Sequence, residues 1–165
     1  METMIKSIFR ILQFLLVLLT TALIGNVIAS NISGSESAVN FTMFVCALSW
    51  LAVLYGIISH FVPTVSIPVA ALGLDSAATL FTFIAAVVLS AKLQAVNCSH
   101  LTNKASDYIA FGSNNDEKRC REIQASTVFL WFLFASFAAS LFFVLKELRR
   151  VGGSVRGPNM SQIGV

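Results

Sequence analysis

Asp75 stands inside an apolar run, Gly73-Leu74-Asp75-Ser76-Ala77-Ala78, and is the one acidic residue at such a position. A carboxylate in the middle of a membrane-spanning helix costs ~2.5–3.5 kcal/mol on the insertion scale, so it should face protein rather than lipid. Asp75, Thr79 and Thr82 fall at i, i+4 and i+7, one face of a helix. By residue count no lysine or arginine reaches that depth, and desolvation without a cationic partner favours the neutral, hydrogen-bonding acid. By residue count Asp75 lies ~12 Å from the inner end of its helix at 1.5 Å per residue, and Tyr55 on the preceding apolar run reaches a comparable depth. A hydrogen bond from Tyr55 to Asp75 is therefore expected. Three roles stay open for the acid: an interhelical hydrogen-bonding residue, a proton, ion or substrate site, or a group touching lipid head groups or sterol hydroxyls.

The remaining reactive residue types give little sign of catalysis. Cys98 and Cys120 share one polar loop without a C-x-x-C spacing, and Cys46 sits inside an apolar run. Two such loop cysteines suit a disulfide on the oxidising side of a membrane, worth ~3 kcal/mol in the chain-entropy view. The alternative is a pair of free cytosolic thiols. His60 and His100 lie in separate regions with no Cys/His/Glu spacing, which disfavours a metal site. Neither a glycine-rich phosphate loop nor a nucleophile–base pair is visible. The expectation is no enzyme, no catalytic residue and no cofactor other than bound lipid such as sphingolipid or sterol.

The elements that carry these residues follow from composition. Of 165 residues 56% are hydrophobic and 12% charged, about half the charge of an ordinary soluble domain. The mean hydropathy is +0.81. Four apolar runs are each long enough to cross a bilayer. This predicts an all-α membrane protein, a four-transmembrane-helix bundle with helices at about 10–29, 41–61, 67–91 and 125–145. The first run could also be read as a signal peptide ending at Val27-x-Ala29, but it is long for one and carries Gln13, Thr20 and Thr21. Residues 62–67, with Pro63 before and Pro68 after the gap, predict a tight turn that makes the second and third helices antiparallel neighbours. Small or hydrogen-bonding residues mark the packing faces: Gln13 and Thr20, then Thr42, Ser49 and Gly56, then the Gly73-x-x-x-Ala77 step. The fourth run is crowded with aromatics, expected to pack and to face lipid. Residues 151–165 read as a flexible cytoplasmic tail.

Orientation rests on two observations. Lys6, Arg10, Lys146, Arg149, Arg150 and Arg156 lie on the side of the termini, six against the five of Lys92, Lys104, Lys118, Arg119 and Arg121. That is a weak vote for cytoplasmic termini; the loop cysteines add a stronger one. Three glycosylation sequons, at Asn31, Asn40 and Asn97, share the outer side but sit close to helix ends. The Lys146, Arg149 and Arg150 cluster reads as a stop-transfer anchor, or as a site of attraction to anionic inner-leaflet lipids. The net charge of +3 is explained by this flanking pattern better than by nucleic acid.

Four short spans, a tight inner turn and a long second outer loop with cysteines resemble the MARVEL-domain tetraspan proteins. Within them the chain is similar to the fungal non-classical export protein family, associated with eisosomes. The likeness is carried by Met43-Phe44-Val45-Cys46-Ala47 and Leu54-Tyr55-Gly56, by Leu74-Asp75 and Phe81-Thr82-Phe83, and by Arg119-Cys120-Arg121 before Gln124-Ala125, with the earlier Cys98. It covers residues 4 to 150 and leaves the tail unmatched. The resemblance implies a plasma-membrane organiser or sensor of sphingolipid-responsive furrow microdomains, without catalysis, partnered by membrane lipids and a membrane-curving eisosome coat. A homo-oligomer is expected from the small-residue steps. The rival reading is a small channel or transporter using Asp75.

Overall fold

The computed structural model describes residues 2–62, 67–94, 96–99, 101 and 108–152, without the side chains of 2, 3, 60, 68 and 147–152. It contains four helices: α1 (Glu2–Ala29), α2 (Ser37–Phe61), α3 (Pro68–Leu93) and α4 (Asp116–Gly152). Each is long and apolar enough to cross a membrane. Inside a bilayer every backbone N–H and C=O must be paired within its own segment, and a helix does this locally. Among the described residues the only pairing of extended backbone is an isolated bridge between Asn31 and Ser113.

The helices run beyond the apolar stretches that located them. α1 starts at Glu2 rather than near residue 10, and α4 extends about two turns past each expected end. Apolar residues locate the bilayer, but helical hydrogen bonding continues through charged sequence. At the start of α4 the i,i+4 pairs Glu117–Arg121 and Lys118–Glu122 favour that continuation. Pro68 opens α3 where no N–H partner is missed. Gln94, in the left-handed region at φ 57°, closes it.

α1 packs on α2 and α4, and α3 packs on the same two helices, so the bundle is a four-cornered ring. Among the described residues no backbone contact crosses either diagonal. Two apolar layers fill the ring. One holds Ile24, Val39, Val45, Ala85, Leu89, Ile123 and Leu130 beneath the loop that carries Cys98 and that the Cys98–Cys120 bond ties to α4. The other holds Leu16, Val17, Ala52, Val53, Ala78, Leu133 and Phe137 nearer the termini. Fully buried alanines on α2 and α3 allow close backbone approach, which drives association where lipid is as apolar as the core.

Several expectations lie outside the described residues. These are most of the turn at 62–67, the histidine side chains, the side chains of Arg149 and Arg150, and the tail from residue 153.

Candidate functional site

Asp75 is buried on α3, as the insertion cost requires, but its partner differs from the one expected. Arg10 of α1 reaches across the diagonal and grips it with two hydrogen bonds, Nη1 to Oδ1 at 2.9 Å and Nη2 to Oδ2 at 2.6 Å. The premise that no cation reaches that depth is thus overturned. α1 begins about two turns earlier than the apolar run, so Arg10 lies within the helix, and its long side chain spans the centre of the ring. A planar guanidinium fits a carboxylate in this two-point geometry as no lysine would.

The same Arg10 Nη1 also donates to Gln13 Oε1 at 3.0 Å. Gln13 in turn donates from Nε2 to Ser140 Oγ at 2.8 Å and to the Ser136 carbonyl at 3.2 Å. Gly56 supplies the fourth wall, because a Cβ there would lie 2.3 Å from Arg10 Nε. One polar node therefore ties α1, α3 and α4 together, and α2 makes room for it. Gln13 and Gly56 were legible as packing residues; Ser136 and Ser140 were not singled out, lost among the aromatics of α4.

The other intramembrane residues expected around Asp75 play more local roles. Tyr55 does not reach the acid. Its hydroxyl accepts from the Ile67 N–H at 3.0 Å and donates to the Ile67 carbonyl at 3.2 Å, holding the start of α3 against α2. Thr79, Thr82 and Ser49 turn their hydroxyls onto carbonyls one turn back in their own helices, at Asp75, Ala78 and Val45. Such back-bonding satisfies a hydroxyl without linking helices. Gly73 meets no neighbour, so the Gly73-x-x-x-Ala77 step is not an interface inside the protomer.

At the opposite end the loops close over the ring. Cys98 and Cys120 are joined as a disulfide, while Cys46 is free and buried in α2. Next to the bridge, Arg119 is 1% exposed, although its sequence position gave only a loop charge to count. It donates to the carbonyls of Ile109, Val27 and Ser35 and to Asn31 Oδ1, gathering three chain segments around one cation. Gly34 and Gly112 pass so closely there that a Cβ on Gly112 would lie 2.2 Å from the Gly34 nitrogen. Gly112 also has φ +96°, which suits glycine. The amide of Asn31, the first sequon, is engaged on both sides: its oxygen accepts from Arg119 and the Gly34 N–H, and its nitrogen donates to Glu36. Nearby, burial pushes the Tyr108 phenol above its ordinary pKa, and its hydroxyl donates to the Leu93 carbonyl.

Among the described residues no group of three or more His, Cys, Asp or Glu is placed to hold a metal ion. A ring of four spanning helices, tied by a buried ion pair near one end and capped by a disulfide-bonded loop at the other, is a tetraspan membrane protein. The chain belongs to the MARVEL family, described as a membrane-associating domain, which it matches over residues 3–143. It is 31% identical to Non-classical export protein 2 of Saccharomyces cerevisiae, over 99% of this chain and 100% of that one. It is 33% identical to Non-classical export protein 102 of Candida albicans, over 88% of this chain and 84% of the relative. No solved structure matches it.

Proposed function

We propose that this protein is a non-enzymatic organiser and sensor of lipid microdomains in the plasma membrane. In this reading both termini face the cytoplasm, and the protein works in sphingolipid-responsive furrows of the eisosome type with a membrane-curving coat. The relatives' names extend the reading to export of proteins by a non-classical route.

One observation carries it: the charge of Asp75 inside the bundle is matched by Arg10, whereas the outward faces are apolar and aromatic. Phe44, Phe83, Trp131, Phe132 and Phe142 are all exposed on the helices. Bulky aromatic surfaces of fixed length sort with lipids of matching thickness and order. Gly73 and Ser76 are exposed on α3 beside the half-buried Ala77, and this small-residue face is where a second copy would pack. Lys146 is exposed at the terminal end of α4, in position to meet anionic head groups, and Arg149 and Arg150 follow it in the sequence. Against the rival transporter reading, Arg10 engages both carboxylate oxygens of Asp75, which favours a structural role for the acid.

The test is live imaging of a carboxy-terminal fluorescent fusion in a fungal cell, before and after sphingolipid synthesis is blocked. Immobile surface patches that disperse on inhibition are expected. A uniform, unresponsive signal would overturn the reading.

A further inference from the structure

A groove of about 470 Å³ opens between α1 and the first turns of α4, lined by Leu23, Glu117, Lys118, Arg121, Glu122 and Ala125 among others. The apolar run of α4 begins near Ala125, so Glu122 stands about 4.5 Å and Lys118 about 10.5 Å above it at 1.5 Å per residue. The head-group layer of a bilayer is about 5–7 Å deep on each side. Arg121 and Glu122 therefore sit at the level of lipid phosphates, while Leu23 and Ala125 point the way to the acyl region.

The charges of the groove are two acids and two bases. Arg121 pairs with Glu117 at 2.5 Å, and Lys118 approaches Glu122 at 3.7 Å. Exposed helical pairs of this kind contribute little to stability and exchange partners readily. Lys118 and Arg121 are each 64% exposed and can turn toward a ligand. Glu122 differs, at 13% exposed. Asn26 of α1 donates to its Oε1, whereas its Oε2 is buried and accepts from no described residue. A buried acceptor without a donor is unfavourable, and a side-chain rotation that turned Oε2 into the groove would let a ligand's N–H satisfy it.

We propose that this groove binds the head group of a zwitterionic phospholipid bearing a primary ammonium. Arg121 takes the phosphate, with Lys118 reaching down to it from above the head-group layer on its flexible stem. Glu122 takes an ammonium N–H once Oε2 turns into the groove. A phosphoethanolamine group carries both charges at about one depth, matching the adjacent Arg121 and Glu122. A choline head group has the same charges but no N–H to give. The proposal rests on the chain spanning a bilayer, not on the microdomain reading.

The experiment uses purified full-length protein washed in detergent with equal amounts of phosphatidylethanolamine and phosphatidylcholine of identical chains. Retained lipid is counted by mass spectrometry. The expected result is retention of the ethanolamine lipid over the choline lipid by about tenfold, one hydrogen bond's worth of discrimination. N-methyl and N,N-dimethyl head groups, which keep an N–H, should be retained, with the drop at the trimethyl step. Glu122→Gln should bring the ratio close to one, while Lys118→Gln with Arg121→Gln should lower retention of both lipids and keep the ratio. Equal retention by the unaltered protein overturns the proposal, and so does a preference that survives Glu122→Gln. The methylation series needs no variant, so a Glu122→Gln protein that failed to fold would leave the question decidable. Lipid-responsive patches in cells from a protein lacking this preference would defeat the groove and spare the microdomain reading.

Discussion

At the scale of single residues, the fold depends on charges that cannot be removed one at a time. Asp75→Asn leaves the Arg10 guanidinium inside the ring without its carboxylate, and breaking a buried pair from one side costs about 3 kcal/mol. The expected outcome is a lowered melting temperature in detergent, with most of the loss restored in the Arg10→Gln, Asp75→Asn double variant. An unchanged single variant would refute the pair's structural role. Tyr108 gives a second residue-scale outcome. Its folded pKa is raised above the unfolded value of about 10. The folded state therefore holds its proton more tightly, and stability should be flat below pH 10 and fall as pH rises toward the folded value. Tyr108→Phe should lose that part of the alkaline decline, as read from melting curves at pH 9 to 11. It should also be somewhat less stable at neutral pH, because the hydrogen bond to Leu93 is gone.

At the scale of elements, the loop between α3 and α4 is tied down by two independent devices. The Cys98–Cys120 bond closes it covalently, and Arg119 draws the end of α1 and the α1–α2 loop onto it through Val27, Asn31 and Ser35. Replacing both cysteines by serine should lower stability by about 3 kcal/mol in the loop-entropy view. Exchange of loop amides should rise on reduction, while the α1–α3 node near the termini stays protected. Hydrogen exchange with and without reductant checks this, and equal changes at both ends would show the loop cap and the Arg10–Asp75 node to be one cooperative unit. The division of the core into two apolar layers is the physical basis for expecting them to be separable.

At the scale of the whole molecule, an even number of spans puts both termini on one side and both α1–α2 and α3–α4 loops on the other. With the proposed orientation, Ser35→Cys should react with an impermeant maleimide on intact cells. Lys146→Cys should react only after permeabilisation. The reverse pattern would place the termini outside and reassign the disulfide's environment. Much of this architecture was legible in the chain. Four apolar runs gave the spans, and Pro68 marked the start of α3. Cys98 and Cys120 stood in one loop without competing partners. The outer helix limits were not legible, since Glu2 to Arg10 and Asp116 to Gln124 are polar enough to read as loop until the helix that continues through them is seen.

By itself the sequence determined what depends on composition and on neighbours a few residues apart: a four-span membrane protein, an acid that must avoid lipid, and a loop able to form a disulfide. The tertiary structure decided the partners. Arg10 meets Asp75 across 65 residues, Gln13 meets Ser140 across 127, and Arg119 meets Val27 across 92. Such pairings depend on which helices become ring neighbours and on how far a long side chain crosses the ring. Periodicity and charge counting along one chain cannot supply that, because the cost of burying a charge is set by what packing in three dimensions brings against it.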